Sequence, residues 1–171
     1  MKQTIICIVG PSGCGKTTLA KFIEKELGIK TMVSYTTRPK RENEIDGVDH
    51  YFVNDDQVPI KEFQLAYTRF GGYQYWTDIR DMIGGSTVTY VIDEKGLMML
   101  MEEWSDRYNV LSVLVKRDIE LLIDMVGKDR VERDKHRVTI EESCYDVVLN
   151  NNGSLADFLE NGVKEIKKLI Y

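Results

Sequence analysis

Residues Gly10-Pro11-Ser12-Gly13-Cys14-Gly15-Lys16-Thr17 fill every fixed position of the pattern G-x-x-x-x-G-K-[ST]. The chemistry of that pattern is phosphate binding. Its glycines let backbone N–H groups turn inward around an anion, and a helix N-terminus behind them adds about half a positive charge. Lys16 would sit on the β- and γ-phosphates of a bound triphosphate, and the Thr17 hydroxyl would ligate Mg²⁺. Thr18 is grouped with this triphosphate-binding loop. Cys14 occupies a variable position of the loop and is expected to pack, with no catalytic role.

A second set lies in Ser34-Tyr-Thr-Thr-Arg38-Pro-Lys-Arg41-Glu-Asn-Glu-Ile-Asp-Gly47-Val-Asp-His-Tyr51-Phe-Val53. Arg38 and Arg41 supply planar donor forks that match a phosphate dianion. Tyr51 and Tyr75 offer hydroxyl donors on rigid rings. Asp93 ends an apolar run, where an open α/β sheet places a carboxylate near a metal or an acceptor; capping the following helix is the other reading. Arg130, Arg133 and Arg137 stand at i, i+3 and i+7, so one helix face would carry all three. Arginines delivered by a closing segment stabilise a phosphoryl-transfer transition state by a factor of about 10³–10⁵. Asp129, Glu132 and Asp134 interleave with them, which also fits a solvated charged helix.

The elements that must position these groups follow from the hydrophobic pattern. Thr4 to Val9 is apolar and β-branched, as in a strand buried on both faces. Leu19, Phe22, Ile23 and Leu27 repeat at helical spacing up to Gly28. Thr31 to Tyr35 reads as a second strand. Residues 36–85 have a different texture: short strands at Tyr51 to Val53 and Phe63 to Phe70, a Gly71-Gly72 turn, a return strand from Tyr73 to Trp76, and a short helix capped by Asp78 and ending at Gly84-Gly85. The βα rhythm then resumes with strands at 87–92, 110–115 and 145–149. Helices are expected at 97–104, across 118–137 with an interruption at Gly127, and at 155–169. The expected fold is α/β and P-loop NTPase-like: a mostly parallel sheet flanked by helices, with a small β-rich acceptor-binding insertion and a short lid. Residues 1–35 and 86–171 form the core, the lid lies at about 127–137, and 36–85 form the insertion.

With these residues in place, the sequence resembles the guanylate kinase family. The resemblance rests on the loop Gly10 to Thr17, the run Val33 to Arg41, Asp46-Gly47 through Val53, Tyr75-Trp76-Thr77, Ile92-Asp93-Glu-Lys-Gly96 and Tyr145-Asp-Val-Val-Leu-Asn150. It spans nearly the whole chain in the family's order. The resemblance implies transfer of the γ-phosphoryl group of ATP, with Mg²⁺, to a nucleoside monophosphate, GMP or dGMP. It implies that Arg38, Arg41, Tyr51 and Tyr75 hold the acceptor's phosphate. Ser34, Thr77 and Asp93 would lie around the guanine or the metal, and Asn150 beside the adenine of ATP. Lys16, Arg38, Arg130 and Arg133 are the expected catalytic set. Three departures stand out. Ala66 occupies the place of the family's guanine-reading Glu. Trp76 replaces a glycine and is expected to add bulk near the base pocket. The helix after Val53 is cut to a few residues around Asp55 to Pro59. These departures keep a same-fold kinase for another phosphorylated acceptor as an alternative, with a non-catalytic binding module behind it.

Composition narrows the rest. Twenty-three basic against 28 acidic residues give a net charge of −5, which disfavours non-specific nucleic-acid binding. No run of about 18 apolar residues marks a membrane span, and the apolar stretch after Met1 is too short for a signal peptide. The odd set Cys7, Cys14 and Cys144 suits free thiols in a reducing cytoplasm. His50 and His136 lack the Cys/His partners of a zinc site. The expected partners are ATP and a nucleoside monophosphate, with no nucleic acid and no membrane, in a monomer or homodimer.

Overall fold

The computed structural model describes residues 2–82 and 87–171. In chain order the elements are β1 (Gln3–Val9), α1 (Lys16–Leu27), β2 (Thr31–Met32), β3 (Tyr35–Thr36), β4 (Tyr51–Phe52), β5 (Gln64–Phe70) and β6 (Tyr73–Asp78). They continue with β7 (Val88–Val91), α2 (Glu94–Trp104), β8 (Tyr108–Lys116), α3 (Ile119–Val126), α4 (Lys128–Asp134), β9 (Val147–Asn150) and α5 (Leu155–Ile170).

The main sheet has the order β2-β7-β1-β8-β9, with every pairing parallel. Its centre is β1, whose residues Ile5 to Val9 are all fully buried, as the β-branched run requires. On one face Ile6 and Ile8 pack with Leu19 and Ile23 of α1, Leu122 of α3, and Phe158 and Ile166 of α5. On the other, Ile5, Cys7 and Val9 pack with Leu97 and Leu100 of α2. Two of the α-helices start on side-chain caps: Asp93 accepts from the Gly96 amide and Ser154 from the Asp157 amide. Each such cap contributes about 1 kcal/mol. Among the described residues, no helix is long and apolar enough to cross a membrane.

A second, four-stranded sheet has the order β4-β3-β6-β5. Its β5 reaches back to the main core, where Leu65 and Ala66 join the apolar cluster under α2. The expected strand from Thr31 to Tyr35 is divided. Thr31–Met32 pairs with β7 in the main sheet, while Tyr35–Thr36 pairs with β4 and β6 in the second. The chain changes sheets at residues 33–34. The helix expected after Asp78 is one turn of 3₁₀ helix over Ile79–Asp81, which Asp78 caps; its expected end at Gly84-Gly85 lies outside the described residues. The 118–137 stretch is α3 and α4, broken at Gly127 (φ 84°, ψ 157°) as expected. Arg137, however, lies beyond the last helical residue, Asp134.

Candidate active site

The loop between β1 and α1 folds as its glycines predict. Gly10 has φ +147°, and a Cβ there would lie 2.2 Å from the Val115 carbonyl oxygen; Gly15 has φ +107°, and a Cβ would lie 2.7 Å from Asn151 Nδ2. Both positions therefore exclude a side chain. Lys16 Nζ donates to the Gly10 and Pro11 carbonyls at 2.7 and 2.8 Å. Burial, with Arg137 nearby, pulls Lys16 below the ordinary lysine value, against the pull of Asp134 and Glu94. Cys14 is fully buried in the core, and burial raises its thiol pKa. It packs, as expected.

This loop, the second sheet and the 127–137 segment enclose one cavity of about 500 Å³. Its wall includes Gly10, Ser12 and Lys16 from the loop; Ser34, Arg38, Arg41 and Tyr75 from the second sheet and its connections; Asp93; and Arg130, Arg133 and Arg137. The two sets of phosphate-binding groups read from the sequence thus face a shared space.

Three carboxylates hold the anion-binding groups of that space. Glu44 accepts from Arg38 Nη1 at 2.9 Å and Nη2 at 2.7 Å, and from the Arg41 amide at 2.8 Å. Burial alone would raise the Glu44 pKa. The Arg38 fork, the Arg41 amide and both guanidinium charges outweigh it and hold the carboxyl at about 2. On the opposite side, Asp134 Oδ2 accepts from the Ser12 amide at 2.7 Å, one of the loop N–H groups a phosphate would use. Arg137 fixes the segment further, with Nη1 donating to the Gly10 carbonyl at 2.7 Å and Nε to Glu94 at 3.1 Å. Arg133 lies over the Phe70 ring at 5.0 Å, so it spans from α4 to the β5–β6 hairpin. Arg130 has a buried Nε with no hydrogen-bond partner among the described residues.

Several expected residues stand elsewhere. Tyr51 is 37% exposed, and its ring stacks on Tyr35 at 4.7 Å, away from the cavity. Its neighbour His50 lines the wall instead. Thr77 is buried in β6, behind the wall. Trp76 adds no bulk to the cavity: it is buried and stacks on Tyr35 at 5.6 Å. Asn150 is exposed at the end of β9, and Asn151 turns inward, its Nδ2 donating to the Cys14 carbonyl at 2.8 Å. Thr17 and Thr18 are exposed on the first turn of α1. Asp93 combines both readings, capping α2 and lining the cavity. Ala66 also lines it, with φ +53°, the only positive φ outside glycine among the described residues. It sits where the β5–β6 register shifts between Leu65 and Thr68. The shift breaks the alternation along β5, so Thr68 is buried against the cavity. Glu44 and His50 lie within the 34–53 stretch without a phosphate-binding signal of their own, and Asp134 and Asn151, 122 and 137 residues along the chain from the loop groups they bond, carry no signal beyond their neighbours Arg133 and Asn150.

Fold and loop together define a P-loop α/β protein carrying an extra β subdomain. The family model for guanylate kinase matches residues 2–81. The guanylate kinase of Clostridium acetobutylicum is 30% identical over 180 residues, covering 99% of this chain and 85% of the relative. That of Lactococcus lactis is 31% identical over 184 residues, covering 97% and 86%. The chain belongs to the guanylate kinase family. Among solved structures, a guanylate kinase from Anaplasma phagocytophilum superposes with a TM-score of 0.71 at 24% identity, over 99% of this chain and 85% of that one. A sugar kinase from Janibacter sp. HTCC2649 shares the fold with a TM-score of 0.58 at 16% identity, over 96% and 95%.

Proposed function

We propose that the protein transfers the γ-phosphoryl group of ATP to GMP or dGMP, giving ADP and the nucleoside diphosphate. The observation that carries this reading is the single cavity shared by Lys16 and the Ser12 amide on one side and Arg38, Arg41 and Tyr75 on the other. ATP's phosphates take the loop, replacing Asp134 on the Ser12 amide. The acceptor's phosphate takes the arginine side, in the donor fork that Glu44 now fills. An acceptor phosphate oxygen is already ionised, so no general base is required. The chain's contribution is alignment and charge neutralisation by Lys16, Arg38, Arg130 and Arg133. The 127–137 segment closes over the phosphates and excludes water, and residues 36–85 act as the monophosphate-binding subdomain.

Mg²⁺ fits the available donors. The ion would be held by the Asp93 carboxylate on the cavity wall and by the Thr17 hydroxyl, exposed on the first turn of α1; Mg²⁺ is ordinarily held by one or two protein oxygens with substrate phosphates. When bound, the ion neutralises charge on the β- and γ-phosphates. ATP and the monophosphate are the only partners this reading needs, in a monomer or homodimer.

A second reading, a kinase for another phosphorylated acceptor, is favoured by one observation: Ala66 and Thr68 put no carboxylate on the wall where guanine N1–H and N2–H₂ would need an acceptor. One buried partner of that kind is worth about 1–3 kcal/mol. A panel of nucleoside monophosphates with MgATP, scored by ADP release, decides between them. Selective turnover of GMP and dGMP supports the first reading; turnover of another acceptor in their place supports the second. No turnover with any acceptor, together with no ATP binding, overturns both in favour of a binding module.

A further inference from the structure

His50 enters the acceptor side of the cavity at the position where the sequence pointed to Tyr51. Because successive strand residues face opposite ways, His50 and Phe52 share the inner face while Tyr51 turns out. The His50 ring meets Phe52 edge-on at 5.8 Å and Tyr75 at 5.9 Å. The Arg38 guanidinium lies over the same Phe52 ring at 5.5 Å. Nδ1 of His50 is 2.8 Å from Ser34 Oγ, which fixes the imidazole plane and leaves Nε2 as its second polar atom. Arg38, Phe52, His50 and Tyr75 therefore form one contiguous cluster, and an imidazole in it carries a charge that depends on pH.

We propose that His50 is an acceptor-contacting residue that completes, with Arg38, Arg41 and Tyr75, the wall receiving the acceptor's phosphate, and that it takes up a proton when that phosphate arrives. The proposal rests on the phosphotransferase reading above. The charged and titratable groups that act on His50 are Arg38, Glu44 and Asp49, with Tyr75 against its ring. In the empty site burial and the Arg38 charge keep His50 below the ordinary histidine value, against Glu44 and Asp49. A phosphate monoester brings about −1.5 to −2 of charge at neutral pH. Placed in the Arg38–Arg41 fork, it offsets the guanidinium charge and favours the imidazolium. Binding and protonation are then reciprocal: acceptor affinity rises as pH falls through the His50 titration.

The ordinary histidine Nδ1 also governs Ser34. In the neutral tautomer that carries its proton on Nε2, Nδ1 accepts the Ser34 O–H, so Ser34 presents only lone pairs to the acceptor. A protonated Nδ1 donates to Ser34 Oγ and frees that hydroxyl to donate. From that tautomer, phosphate arrival changes what the Ser34 hydroxyl offers the acceptor.

The test is an NMR titration of the imidazole C–H signals. The chain has two histidines, so the single variants His50→Gln and His136→Gln assign both. The His50 midpoint is expected to move up the pH scale by about 1 when GMP is added, and not with guanosine, which lacks the phosphate. In parallel, the ratio of GMP KM in His50→Gln to that in the parent protein should grow several-fold from pH 8 to pH 6, while the ATP KM ratio stays flat. Taking the ratio cancels the titration of GMP itself. A His50 midpoint unmoved in protein that binds GMP, or moved equally by guanosine, overturns the inference and leaves the kinase reading standing. GMP neither bound nor turned over overturns that reading, and this inference with it.

Discussion

Glu44 sets the electrostatics of the arginine side. It is held at about 2, against an ordinary value of 4.5. A carboxyl whose folded-state value is depressed adds stability that is complete above the unfolded value and is lost as pH falls through the folded one. The Arg38–Glu44–Arg41 link should therefore contribute fully above about pH 4.5 and fade towards about pH 2. Glu44→Gln removes that dependence. Urea midpoints measured at about pH 5 and about pH 3 should fall more steeply for the parent protein than for the variant. Parallel slopes would show that Glu44 does not hold the charge assigned to it.

The α4 segment presents a carboxylate to the loop where a triphosphate would bind. Asp134→Ala frees the Ser12 amide, so the KM for ATP should fall. Hydrogen bonds to charged groups are worth about 1.5–3 kcal/mol, which sets the scale of the fall at about tenfold or more. Steady-state kinetics with ATP varied reads this, and an unchanged or raised KM would mean that Asp134 does not compete with phosphate. Elements of this kind were legible in the sequence only in part. The β1–loop–α1 unit was plain, because an apolar run, glycines at fixed spacing and an amphipathic repeat are all local signals. Four features were not. The division of Thr31–Tyr35 between two sheets depends on pairing partners far along the chain. The inward choice of His50 over Tyr51 turns on one residue of strand phase, and a one-residue slip reverses every side chain. The same holds for Asn151 over Asn150 after β9, and the bulge at Ala66 breaks the period-2 pattern that β5 otherwise shows.

At the scale of the molecule, the parallel sheet brings the β1–α1 loop and the end of β7 to one edge, and the second sheet carries the arginine fork to face them. That arrangement makes a stringent demand: both phosphate-binding sides must be able to grip one molecule at once. A compound joining adenosine and guanosine through a pentaphosphate tests this by isothermal titration calorimetry. It should bind about 10²–10⁴-fold more tightly than ATP or GMP alone, because the second contact becomes intramolecular. Lys16→Ala and Arg38→Ala should each abolish that advantage. Binding no tighter than that of the better single nucleotide, with neither substitution changing it, would contradict the shared-cavity account.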